Sequence, residues 1–91
     1  MKITVTYFAR PGRREEFLHR VVTAGILSAI REEDGCLRYD YYLSCQNEEE
    51  ILLLEEWESE AHQRLHMELE HMTRLMDIKN DCIAETRVQK D

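Results

Sequence analysis

The hydrophobic positions along this chain switch between two spacings, about 2 and about 3.6 residues, and each switch marks a change of element. `KITVTYF` (residues 2–8) alternates Ile3, Val5 and Tyr7 with Thr4, Thr6 and Phe8, the pattern of a strand. `ARPG` interrupts it, because Pro11 restricts its own φ and Gly12 permits a tight turn. From Arg13 to about Glu33 the spacing becomes helical. Phe17, Val21, Ala24 and Ser28 form one row and Leu18, Val22, Gly25 and Ala29 a second, with Arg13, Arg14, Glu15 and Glu16 expected to face water. `EEDG` ends this helix, with Gly35 where a left-handed backbone is needed. `CLRYDYYLS` predicts a second strand carrying Leu37, Tyr39, Tyr41 and Leu43 on one face. `CQNEEE` turns the chain and `ILLLEEWE` returns it as a third strand. Ser59 is a suitable N-cap for a second helix whose apolar row is Ala61, Leu65, Leu69 (or Glu68), Met72 and Met76, with a break or bend expected near His71. `NDCIAETRV` predicts a short last strand and `QKD` a frayed tail.

The resulting order, β-α-β-β-α-β, is that of ferredoxin-like α+β folds, with an antiparallel sheet and two helices on one face. Residues 1–91 are expected to form one such domain. Strand three is apolar on both sides, with Ile51 and Leu53 facing one way and Leu52 and Leu54 the other. Two helices cover only one face of a sheet, so a second copy of the chain is the expected cover for the other. A chain of 91 residues also buries only about 60% of its unfolded surface, which favours a homodimer.

Charge narrows the partners. The formal net charge is −7 and no basic stripe is present, which argues against nucleic acid and anionic membranes. The N-terminus has no signal-peptide layout, and the three cysteines are odd in number without a C-x-x-C pair, so a cytoplasmic setting is expected. The Lys and Arg residues form no phosphate cluster, and Gly12, Gly25 and Gly35 form no glycine-rich loop. Neither a nucleotide cofactor nor a nucleophilic triad is indicated.

Candidate chemistry concentrates in `EEWESEAHQRLHMELEHM`, residues 55–72, which holds the only tryptophan and three of the four histidines. His62 and His66 are four residues apart on a helix, with Glu70 continuing the row, but no further ligand completes a metal shell; no metal is expected. His66 borders the apolar face and is placed to look between helix and sheet, either as a structural histidine or as an acid/base group. Trp57 reads as a core residue of strand three. Period two then places Glu55 inside with it, as an ion-paired structural residue or as a carboxylate poised for acid/base work. Tyr39, Tyr41 and Tyr42 are either good strand formers or the aromatic wall of a pocket.

`RPGRREEFL`, `REEDGCLRYDYYLS` and `LLLEEWESEAHQRLHMELEHM`, in this order, resemble the antibiotic biosynthesis monooxygenase family, and within it the small quinol monooxygenases. The resemblance implies a ferredoxin-like homodimer (a dimeric α/β barrel) that oxidises a small aromatic or quinol-like substrate with O2 and uses no flavin, haem or metal. It also implies that Trp57 is the family's pocket tryptophan, that His66 and His71 are its helix histidines, and that His62 matches the quinol-oxidising branch. Two features depart from the family pattern. `ELEH` replaces a small-residue and proline step before the second histidine, and strand one lacks the asparagine of haem-degrading members. The function expected from residues and resemblance together is a cofactor-independent monooxygenase, with His66 as base, Glu55 orienting a polar group and Trp57 as a flat wall. His62, His71, Tyr39 and Tyr41 would line the substrate. The alternatives are an acid/base isomerase of a small sugar-derived phosphate and a non-catalytic ligand-binding dimer.

Overall fold

In the computed structural model, which describes residues 1–91, the period-two segments are strands β1 (Lys2–Ala9), β2 (Cys36–Leu43), β3 (Glu50–Trp57) and β4 (Ile83–Lys90). They form one antiparallel sheet in the order β2-β3-β1-β4, the ferredoxin-like arrangement. β1 is central, and its strict burial alternation puts Ile3, Val5, Tyr7 and Ala9 in the core. Opposite them in register lie Glu55, Leu53 and Ile51 of β3, so these residues share the covered face. Arg10–Arg13 closes the first turn with a hydrogen bond from the Arg13 N–H to the Arg10 carbonyl. Gly12 at φ 74° supplies the left-handed third position that a Pro-Gly turn of this kind requires.

Each predicted helix is two helices. The first divides into α1 (Arg14–Thr23) and α2 (Ile26–Arg31) around Gly25 at φ 76°. The break adds one residue to the apolar phase. Phe17 and Val21 are buried in α1, and after the break the core positions are Ile26 and Ile30 rather than Ala24 and Ser28. Val22, expected beside the core, is exposed. Arg14 does not face water: its guanidinium donates to the carbonyls of Ser44, Asn47 and Glu50 and ties α1 to the β2–β3 connection. The second divides into α3 (Glu60–Met67) and α4 (Glu70–Cys82), with the break at Glu68–Leu69, just before His71. Ser59 caps α3 as expected, its Oγ accepting from the His62 N–H at 3.2 Å. The expected apolar row is corrected: Leu65, Leu69 and Met76 are exposed, and His66, Leu75, Ile78 and Cys82 face the sheet. Within α3 the inward position is His66 rather than its neighbour Leu65, and the break then changes the helical phase, so a row drawn straight through it also misplaces Leu69 and Met76. Helix α4 also continues through Asn80–Cys82, which were expected in the last strand, and β4 extends into the expected tail.

β2 holds one more irregularity. Cys36 pairs with Trp57 and Arg38 with Glu56, leaving Leu37 as an extra residue in a bulge and 59% exposed. Tyr39 and Tyr41 stay on the covered face opposite Glu55 and Leu53, while Leu43 at the strand end is exposed.

Gly35, ahead of β2, is constrained twice. It adopts φ 81°, and a Cβ there would lie 2.4 Å from the His62 ring. Gly35→Ala is expected to cost about 1–2 kcal/mol in backbone strain, plus whatever displacing His62 from its cap requires. Urea unfolding with an unchanged m-value and a lowered midpoint is the expected result; an unaltered midpoint would show that this junction relaxes freely.

Candidate functional site

β3 and α3 bring the candidate residues together. Glu55 and Trp57 stand two residues apart on the covered face of β3, both buried. The Trp57 indole N–H donates to Glu55 Oε1 at 3.0 Å, so the buried carboxylate has a fixed donor two residues along its own strand. Burial pushes the Glu55 carboxyl above its usual range, and the indole N–H, His66 and Lys79 act in the opposite direction.

His66 comes down onto this pair from α3 and is only 1% exposed. Its ring lies against the Trp57 indole, centroids 4.4 Å apart and 37° between planes, and against Tyr39 at 5.8 Å. Its Nδ1 is 2.9 Å from both carboxylate oxygens of Glu33, a residue in the α2–β2 connection. His71, at the start of α4, places Nε2 at 2.6 Å from Glu33 Oε2. A carboxylate only accepts, so the ring nitrogens that face Glu33 carry the protons. Neutral His66 is thereby held as the Nδ1–H tautomer, which leaves Nε2 unprotonated. The arrangement of carboxylate, imidazole and free ring nitrogen is that of an oriented general base.

Between α3, α4 and the sheet lies a cavity of about 600 Å³. Ile3, Val5 and Leu75 make it apolar, while Glu55, His66 and Lys79 bring polar atoms to it. Tyr7 and Tyr39 also line it, and burial pushes both phenols well above their usual range. Its volume lies within the range of small-molecule sites, roughly 300–1,000 Å³.

Of the seven candidate residues, His66, Glu55 and Tyr39 line this cavity. Trp57, expected as its wall, is wholly buried beneath His66 and Glu55 and supports them from behind. His71 reaches Glu33 rather than the cavity. His62 turns away, with Nδ1 2.6 Å from Ser59 Oγ and Nε2 3.3 Å from Asp34. Tyr41 packs edge-on against Tyr39 and Phe17, its hydroxyl buried without a partner, outside the cavity lining.

Glu33 and Lys79 were not singled out by sequence. Glu33 sits in the acidic run `EEDG`, where no spacing tells which carboxylate turns inward. Lys79 follows Ile78 on the sheet-facing side of α4, and a lysine at such a border is ordinarily solvated. The Glu33, His66 and His71 ligand atoms all lie within 4.8 Å of one another, a set of two imidazoles and a carboxylate. Direct hydrogen bonds among the three already satisfy them.

Comparison with known proteins gives consistent matches. Residues 1–77 match the family described as Antibiotic biosynthesis monooxygenase. YcnE of Bacillus subtilis (strain 168), provisionally named a monooxygenase, is 32% identical over 62 residues, 68% of this chain; the matched stretch spans 63% of that relative's length. The crystal structure of PA3566 from Pseudomonas aeruginosa superposes with a TM-score of 0.83 at 25% identity, covering 97% of this chain and 87% of that one. A crystal structure titled antibiotic biosynthesis monooxygenase superposes at 0.84 with 25% identity, covering 99% and 95%.

Proposed function

Because the chain belongs to the antibiotic biosynthesis monooxygenase family, we propose that it oxidises a small quinol-like or polyphenolic compound with O2 and without flavin, haem or metal. The observation that carries this reading is His66, buried on the cavity wall with Nδ1 occupied by Glu33 and Nε2 left to act as base. The balance closes without another reductant. Two electrons come from a ring C–H that becomes C–O, and two from the quinol that becomes a quinone. Together they reduce O2, with one oxygen atom entering the product and the other leaving as water.

His66 Nε2 takes the phenolic proton, and the resulting phenolate is electron-rich enough to pass the first electron to O2. Glu33 stabilises the imidazolium that forms at His66, as the carboxylate of a triad does. Glu55 orients a polar group of the substrate from the cavity floor, and Trp57 keeps both Glu55 and His66 in place. The apolar lining excludes water while the radical pair recombines.

A second copy of the chain belongs to the same proposal. The uncovered sheet face carries Phe8, Leu52, Leu54 and Tyr42, and no helix of this chain packs on it. A dimer mass by light scattering at micromolar concentration is expected; a monomer would remove this part of the reading.

The activity test is oxygen uptake with a panel of hydroquinones, using chelated, flavin-free protein and subtracting autoxidation. Uptake above the blank, with oxygen from 18O2 in the product, is the expected result. Rates equal to the blank across the panel would overturn the proposal.

A further inference from the structure

The cavity contains a cation that the base and its carboxylates leave unexplained. Lys79 enters it from α4, part-buried, and makes no salt bridge or hydrogen bond within the chain. Its Nζ stands 4.9 Å from the centroid of the Tyr7 ring, a cation–π contact that positions the ammonium without neutralising it. Burial draws the Lys79 ammonium below its usual range, and the Glu55 charge opposes this. Arginines elsewhere in the chain are matched differently. Arg13, Arg20, Arg31 and Arg38 lie against carboxylates, and Arg14 against carbonyls. An unpaired ammonium on a cavity wall carries a desolvation cost that an anionic ligand would offset.

The charge around it points the same way. In a chain of net charge −7, the cavity is lined by two lysines, Lys79 and Lys90, and by a single carboxylate, Glu55. Glu55 is already engaged by the Trp57 N–H. Away from these groups the surroundings are apolar, with Ile3, Val5, Leu75 and Met72. The space therefore suits a flat apolar body with one negatively charged oxygen.

We propose that Lys79 is the anchor for an oxyanion on the substrate, so that the cavity selects aromatic compounds carrying a carboxylate or a phenolate over their neutral isosteres. The inference rests on the cavity being the substrate site and narrows the substrate class within it. Lys79 binds the charged oxygen directly, and the same contact holds a phenolate after deprotonation.

Calorimetric titration of the full chain with 2-naphthoate, naphthalene-2-carboxamide and 2-naphthol tests this. A charge-assisted contact in a part-buried site predicts that naphthoate binds about 10- to 100-fold more tightly than the carboxamide. In Lys79→Met that preference should fall to near unity, while carboxamide binding persists and reports an intact cavity. Lys79→Gln, which keeps a donor but no charge, should lose the preference as well. For 2-naphthol, a shift of its absorption to that of the naphtholate on binding marks a phenolate as the bound oxyanion; tight naphthoate binding without this shift marks a carboxylate. Equal affinity for naphthoate and carboxamide, with no naphtholate shift, would overturn the anchor and leave the oxidation reading standing. A preference that survives in Lys79→Met would do the same. Failure of all three compounds to bind would likewise overturn the anchor, and the oxidation reading would still be decided by oxygen uptake with the hydroquinones.

Discussion

His66→Ala is expected to lower kcat for the oxidation by about 10²- to 10⁴-fold, the usual contribution of a positioned general base. The size of the effect follows from how the residue is held. Trp57 and Tyr39 fix the ring plane, and Glu33 fixes the protonated nitrogen. No other side chain on the cavity wall offers a neutral nitrogen base held in this way. Glu55 is engaged with Trp57, and burial opposes ionisation of Tyr7 and Tyr39. KM should change less than kcat, because in the proposed role His66 acts on the proton rather than on the body of the substrate. Steady-state oxygen uptake on protein whose circular dichroism matches the parent is the measurement. Uptake unchanged by the substitution would clear the histidine and leave the mechanism without its base.

Trp57→Ala is expected to fail through stability first. Truncating a wholly buried tryptophan costs about 3–5 kcal/mol, against a total of about 5–15 kcal/mol for a typical domain. The lost ring also leaves the buried Glu55 carboxylate without its indole donor and His66 without its stacking partner. Urea unfolding should show the largest midpoint shift of any single truncation in the β3 row. Trp57→Phe separates the two contributions, because it keeps an aromatic face against His66 but removes the N–H. Leaving Glu55 without that donor is expected to cost about 1–3 kcal/mol. A Trp57→Ala protein as stable as the parent would show that the indole is not the keystone of this layer.

Local pattern carried the strands. Alternation at Ile3, Val5 and Tyr7, and at Ile51, Leu53, Glu55 and Trp57, placed each residue on its correct face, because strand period is rigid and needs no neighbour to define it. Burial of Glu55 beside Trp57 follows from the same rule. The first helical row was legible only until a break reset it. Gly25 was read as part of a row and instead starts α2, so Ile26 and Ile30 replaced Ala24 and Ser28 in the core. In α3 the row was one position out before any break, with His66 inward in place of Leu65, and beyond the α3–α4 break Leu69 and Met76 also lie outward. A one-residue bulge at Leu37 had no signature in its strand's spacing.

The order of strands and helical segments, the two faces of β3, the Ser59 cap and the left-handed turn at Gly35 were legible along the chain, because each depends on residues within a few positions of each other. Which side chains surround His66 and the cavity depended on packing between elements. Glu33 reaches His66 and His71 across 33 and 38 positions of chain, and Lys79 of α4 meets Tyr7 of β1 across 72. Side chains that far apart in sequence are brought together by the packing of helices on the sheet, and periodicity within any one element contains no information about that distance.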